Sequence, residues 1–302
     1  MEPFALDALE RVTTRPTKDY ETLTLTPLTP VLGAEVTGLD LSRELTCEQR
    51  REVRRAFLEH HVLVFRDQHL TPTAHKRFAA EFGPLHRVVL PAEGADPHIL
   101  EISADASSRA VAGNGWHADG TAESEPSLGS MLYLIRTPEV GSGGDTLFAN
   151  MHLAYDMLSP RMKEFLEGLT AVHDGAQPWL SQGMAPPEGY EAPRTEHPVV
   201  VLHPETGRRL LFVNAPYTAH ITQLSAAESR SVLDMLYQHI AGTPLLHCRV
   251  RWEPHTLVFW DNRCVQHHAV WDYYPHSRYG QRVAIDGTRP QPCAPLPDTE
   301  LV

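Results

Sequence analysis

Short apolar runs, alternating or continuous, dominate this chain, and Gly and Pro punctuate them. Leu23-Thr24-Leu25-Thr26 alternates like a half-buried strand, so the ordered domain is expected to begin near Leu23. Cys47–His61 has helical spacing instead, with Val53, Phe57 and Leu58 on one face and Thr46 placed to cap it. Val62-Leu63-Val64-Phe65 then predicts a short buried strand. A second helix is predicted over Pro72–Phe82, capped by Thr71 and ended by Gly83. Strand-like runs recur at His98–Ile102, Ser130–Ile135, Val199–Leu202, Leu210–Val213, Cys248–Trp252, Thr256–Trp260 and Arg282–Ile285. Helices interrupt them near Ser159–Leu169 and Ser225–Ile240, the latter carrying Val232, Leu233, Leu236 and Ile240 as an apolar stripe. Gln177–Arg194 is rich in Pro and Gly and reads as a loop or lid. Many short strands, few helices and Pro/Gly turns predict a mainly β fold: a double-sheet barrel with helices packed outside. The expected organisation is a flexible arm over residues 1–20, one domain over 21–290 and an irregular tail over 291–302.

Composition narrows the function classes. The 302 residues are 42% apolar and 21% charged, ordinary for a globular protein. A formal net charge of −12 makes the whole chain a poor partner for nucleic acid or an anionic membrane surface, while leaving room for a local basic pocket. Of the four cysteines, Cys47, Cys248, Cys264 and Cys293, none forms a CxxC pair, which predicts a reducing, cytoplasmic setting. Met1 to Tyr20 has no apolar h-region, so no secretory signal is expected, and no apolar run approaches the ~20 residues that span a bilayer.

Candidate chemistry begins at Asn114-Gly115-Trp116-His117-Ala118-Asp119-Gly120. A His and an Asp two apart on an extended segment point to the same side and can reach one ion. With a second His they make the two-His-one-carboxylate triad of non-haem iron(II) oxygenases. Alone, HxD is a weak signal, more often a polar surface strand. A second signal follows the apolar strand Thr256–Trp260, in Asp261-Asn262-Arg263-Cys264-Val265-Gln266-His267-His268. In an extended segment His267 and His268 point opposite ways, so only one of them binds. A third is Arg278, eleven residues past His267. A 2-oxo acid chelating iron leaves a distal carboxylate, which suits a planar guanidinium fork, and a hydroxyl such as that of Thr146 would complete its grip.

Together these residues resemble the taurine dioxygenase / 2,4-dichlorophenoxyacetate dioxygenase family, from about Leu25 to Pro290. Further landmarks are Leu32-Gly33-Ala34-Glu35-Val36, Val64-Phe65-Arg66-Asp67-Gln68, Phe82-Gly83-Pro84-Leu85-His86, Gly143-Gly144-Asp145-Thr146, His203-Pro204 and Trp260-Asp261-Asn262-Arg263. The resemblance implies a double-stranded β-helix (jelly-roll, cupin-like) core. It selects His267 over His268, giving His117, Asp119 and His267 as ligands of Fe(II). It assigns Thr146 and Arg278 to 2-oxoglutarate, and Arg282 to the cosubstrate and the anionic end of the substrate. It implies O2 as second cosubstrate, succinate and CO2 as products, and hydroxylation of a C–H bond. Related halogenases replace the carboxylate ligand with a small residue, so Asp119 implies oxidation without halogenation. Departures from the taurine-specific pattern are Val88 and Pro91, where a His and a Tyr are usual, and Gly120, where a bulkier residue follows the Asp ligand. Asn114 and Tyr217 complete the candidate substrate contacts. These changes argue against taurine itself and for another small or medium-sized anion: a sulfonate, sulfate ester, carboxylate or phosphonate. Relatives form dimers or tetramers, so a homo-oligomer is expected. Competing readings are a zinc hydrolase using the same three ligands and a non-catalytic metal or oxo-acid sensor.

Overall fold

The structure is a computed structural model describing residues 1–16, 18–89, 94–109, 111, 113–139, 141–180 and 184–293. Its strands are β1 (Thr24–Pro27), β2 (Ala34–Thr37), β3 (Val62–Phe65), β4 (Leu100–Ala104), β5 (Gly129–Arg136), β6 (Thr146–Asn150), β7 (Thr170–Asp174), β8 (Arg194–Pro198), β9 (Val200–Leu202), β10 (Arg209–Leu211), β11 (Thr218–Ile221), β12 (His247–Val250), β13 (Thr256–Asp261), β14 (Val265–Ala269), β15 (Arg278–Ile285) and β16 (Gln291–Pro292). The helices are α1 (Pro3–Thr13), α2 (Cys47–His60), α3 (Pro72–Ala80), α4 (Met151–Asp156), α5 (Pro160–Leu166), α6 (Gln177–Leu180) and α7 (Ala226–Gly242). The protein is mainly β. A seven-stranded sheet runs β1-β2-β3-β13-β5-β15-β4, beside three-stranded sheets β12-β6-β14, β11-β7-β8 and β10-β9-β16.

The large sheet is buried on both faces, which explains why its central strands read as continuous apolar runs. Side chains alternate along a strand. Val62, Val64, Leu132, Leu134, Val258 and Trp260 therefore turn inward to one cluster, with Phe148 of β6 and Val265 of β14. Leu63, Phe65, Met131, Tyr133, Leu257 and Phe259 turn outward, where Phe57 of α2 and Phe78 of α3 cover them. Both covering helices start at the expected caps: Thr46 and Gln49 form a reciprocal capping box, and the Thr71 hydroxyl accepts from the Ala74 amide at 3.2 Å.

Three expectations need correction. The first 20 residues are not a loose arm throughout: Pro3–Thr13 is a helix whose Ala5, Ala8 and Val12 join the inner cluster. The tail is not irregular from residue 291, because Gln291–Pro292 pairs with β9, and residues 294–302 lie outside those described. Helix α3 ends at Ala80, short of the predicted Phe82, while Leu58 packs, half-buried, with Val53 and Phe57 as expected. The short strands β2, β6, β7, β8, β11 and β14 escaped notice because their few residues mix polar with apolar. Among the described residues no helix is long and apolar enough to cross a membrane.

The Phe57 and Phe259 rings stack at 3.9 Å, both fully buried, and tie α2 to the sheet. Phe57→Ala is expected to cost about 3–5 kcal/mol in urea unfolding, as large-to-small core changes do. A loss below about 1 kcal/mol would show that this contact does not anchor the outer layer.

Candidate metal centre

The inner face of the large sheet supplies one wall of the site. Ser130 of β5 and Arg278 and Arg282 of β15 project from it; Thr146 of β6 and His267 of β14 belong to the opposing small sheet. The HxD segment is not the extended strand that was expected: His117 makes an isolated antiparallel bridge to His267, and Asp119 and Gly120 lie in a turn. Each of the two residues donates its amide to the other's carbonyl, at 3.0 and 2.7 Å. Ala269 also donates to the Gly113 carbonyl at 2.9 Å. Gly113 has φ +82°, and a Cβ there would lie 3.2 Å from the His117 ring, so this turn requires glycine.

This pairing sets the two imidazoles side by side, ring centroids 4.1 Å apart. Asp119 Oδ1 lies 3.8 Å from His117 Nε2 and 3.9 Å from His267 Nε2. Donors about 2.1 Å from a shared divalent ion stand at most about 4.2 Å apart, so the set fits one. His117 Nδ1 donates to the Gly115 carbonyl at 2.8 Å, which turns the Nε2 lone pair toward the cluster. His267 is held by packing: Trp260 and Phe148 flank its ring at 4.8 and 6.2 Å. Burial, then His117, hold His267 well below the usual imidazole range, so it is neutral, the form that ligates. Burial opposes ionisation of Asp119, but the charge of Arg282 leads the effects, its hydrogen bond among them, that outweigh it and keep the carboxyl below its usual range. Arg282 donates to Asp119 Oδ1 at 2.7 Å, and Ser130 Oγ donates to Oδ2 at 3.1 Å.

Asn262, noticed in the sequence only as part of a landmark, clamps this ligand. Its Oδ1 accepts from the Asp119 amide at 2.8 Å, and its Nδ2 donates to the Asp119 carbonyl at 2.9 Å and to Ser127. A buried Asn directly after an apolar strand was the available signal.

Arg278 and Thr146, the residues expected to hold the 2-oxo acid, gather around one indole. Arg278 is 4% exposed and lies 5.4 Å over the Trp252 ring, whose Nε1 donates to Thr146 Oγ1 at 3.0 Å. Arg278 Nη1 donates to the Gly144 carbonyl at 3.2 Å, while its Nε is buried without a hydrogen-bond partner. A buried guanidinium with a spare donor is matched to a carboxylate. Tyr217 senses the same site: burial, then the Asp119 carboxylate, push its hydroxyl up to about 12, so it stays a proton donor.

Gly120 has φ +63°, and a Cβ there would lie 3.2 Å from Glu123 Oε1. The room left by the missing side chain is thus taken by Glu123, which sequence reasoning missed. Burial raises this carboxyl despite His86, 3.9 Å away. Asn114 is exposed and hydrogen bonded to His268 Nε2 at 3.2 Å. Val88 is half-buried, with its amide bonded to the Pro97 carbonyl. Neither is placed against the three ligands by these contacts, and Pro91 lies outside the described residues.

The family profile described as "Taurine catabolism dioxygenase TauD, TfdA family" matches residues 24–284. The chain is 37% identical to an alpha-ketoglutarate-dependent dioxygenase, cnsM, of Penicillium expansum, over 83% of this chain and 74% of the relative. It is 34% identical to an alkylsulfatase of Acinetobacter baylyi, over 88% and 85%. A crystal structure of a taurine dioxygenase from Burkholderia xenovorans superposes with a TM-score of 0.78 at 31% identity, covering 91% of this chain and 95% of that one.

Asn262→Ala is expected to weaken Fe(II) binding about 10- to 100-fold, as loss of a group supporting a ligand does. Anaerobic competition against a chromophoric chelator measures it, with far-UV circular dichroism confirming the fold. Unchanged affinity would remove Asn262 from the metal centre.

Proposed function

The chain belongs to the TauD/TfdA family of dioxygenases, and from that premise we propose that it hydroxylates a C–H bond of a small or medium-sized organic anion. As a member of this family it is an oxidoreductase that uses iron(II), 2-oxoglutarate and O2. His117, Asp119 and His267 would hold the iron, which when bound supplies O2 activation coupled to conversion of 2-oxoglutarate into succinate and CO2. The β sheets form the double-stranded β-helix of such enzymes in this reading. The observation that carries it is the convergence of the three ligands with the buried Arg278, Trp252 and Thr146. A hydrolase has no use for that second group.

The chain's own residues then divide the work. Arg278 and Thr146 grip the far carboxylate of the 2-oxo acid. Asn262 and Ser130 orient Asp119. Arg282 and the Tyr217 hydroxyl offer a positive charge and a proton donor to the anionic end of the substrate, and Trp260 and Phe148 keep water from the His267 side. Sulfonates and sulfate esters lead the candidate anions, since relatives include an alkylsulfatase and a taurine dioxygenase. Carboxylates and phosphonates offer the same charge. Val88 and Gly120, with Glu123 filling the space beside the latter, favour a substrate other than taurine. We place the enzyme in the cytoplasm as a homo-oligomer, acting on neither nucleic acid nor membrane.

Succinate release is expected with some members of a panel of alkyl sulfates, sulfonates, carboxylates and phosphonates, and none from Asp119→Ala. A panel that yields no succinate with the iron-loaded protein would overturn the substrate class. Turnover retained by Asp119→Ala would overturn the ligand assignment. Arg278→Ala deletes one side of a buried charge pair and is expected to weaken 2-oxoglutarate binding by about 2–5 kcal/mol, roughly thirtyfold or more. Anaerobic calorimetry of the iron-loaded variant checks this, and wild-type affinity would count against the role.

A further inference from the structure

A second cluster of metal-ligating side chains lies away from the dioxygenase ligands. His61, at the end of α2, His152 of α4 and Cys264, in the turn between β13 and β14, are all fully buried. One donor atom from each lies within 4.8 Å of the others, and Cys264 Sγ is 3.5 Å from His61 Nδ1. The His61 and His152 rings are 5.3 Å apart. His152 Nδ1 is committed to the Arg209 carbonyl at 2.7 Å, which leaves its Nε2 with the lone pair. Neither His61 Nε2 nor His152 Nε2 has a hydrogen-bond partner. An unpaired buried polar atom costs about 1–3 kcal/mol, so the orphaned Nε2 of His152, in a cluster that also holds His61 and Cys264, calls for an explanation.

We propose that His61, His152 and Cys264 form a site for a thiophilic monovalent cation of the copper(I) class. Soft thiolate with imidazole is a donor set such a cation prefers, and the hard carboxylate of the iron site is not. Charge selects the monovalent ion. Burial holds both imidazoles neutral, His152 being lowered to about 3. Two neutral imidazoles, one thiolate and one monovalent cation sum to zero, whereas a dication leaves one positive charge over; Asp261 favours and Arg208 opposes positive charge on both rings, and Asp261 is already paired with Arg263. In binding, the S–H bond of Cys264 breaks, the cation–sulfur bond forms, the proton leaves to solvent and no electron is transferred. The turn that holds Cys264 also carries Asn262 and leads into His267, and the Met151 amide donates to the Cys264 carbonyl at 3.0 Å. A cation here would brace the turn that positions the iron ligands.

The test is anaerobic titration of the iron-loaded protein into the coloured copper(I) complex of bathocuproine disulfonate. Loss of colour reports withdrawal of the cation. Wild type and Cys47→Ser, which removes the exposed thiol, are expected to withdraw one equivalent. Cys264→Ser and His152→Gln are each expected to hold it roughly tenfold or more weakly. No withdrawal by wild type, whether folded or refolded from urea with copper(I) present, overturns the site. Withdrawal unaffected by both variants overturns the ligand assignment, and tighter retention of zinc(II) than of copper(I) overturns the monovalent class.

Discussion

The site depends on one pair of backbone hydrogen bonds. His117 and His267 are 150 residues apart in the chain, yet each donates its amide to the other's carbonyl. An antiparallel bridge of this kind presents both side chains on the same side at close range. Metal geometry therefore does not rest on side-chain flexibility: once the Gly113–His117 turn is zipped to β14, both imidazoles face one point. Asp119 is brought to that point by its turn and held by Asn262, whose side-chain amide satisfies both backbone groups of the ligand residue.

The rest of the fold makes that pairing affordable to keep buried. β13 and β14 meet at a turn whose Asp261 is fully buried, accepting from His203 and from the amide and two guanidinium nitrogens of Arg263. Arg263 reaches on to Glu205, which also pairs with Arg54 of α2. A buried carboxylate is tolerated only when paired and hydrogen bonded, and this chain of charges does both while linking the turn to the outer helices. The same logic applies inside the site. Arg282 pairs with Asp119 through Nη1, and Arg278, with one bond to Gly144 and an unpartnered Nε, retains donor capacity for an anion.

How much was legible in the chain differs by physical cause. Strong local signals predicted well: the apolar runs of β3, β5 and β13, the capping residues Thr46 and Thr71, and the helix start at Ser225 lie at or within a residue of the observed positions. The candidate ligands and the residues expected to hold the 2-oxo acid were noticed from residue type, spacing and family resemblance, and the structure brings His117, Asp119 and His267 together and sets Arg278 and Thr146 around Trp252. Features decided by tertiary contact were not legible. Helix α1 is short and reads as a charged arm, because only docking of Ala5, Ala8 and Val12 reveals its buried stripe. The HxD segment looked extended because period-2 spacing has that meaning in a strand, but here a bridge and a turn give the same convergence. Glu123 was invisible because its place beside Gly120 arises from a turn.

The most direct test of the account is an anaerobic titration of the metal-free protein with iron(II) and 2-oxoglutarate, followed by visible absorbance. The account predicts a weak charge-transfer band that requires both components and disappears in His117→Ala. Folded protein that binds iron(II) yet develops no such band with 2-oxoglutarate would contradict it, because the oxo acid would then not be chelated at the metal that His117, Asp119 and His267 hold.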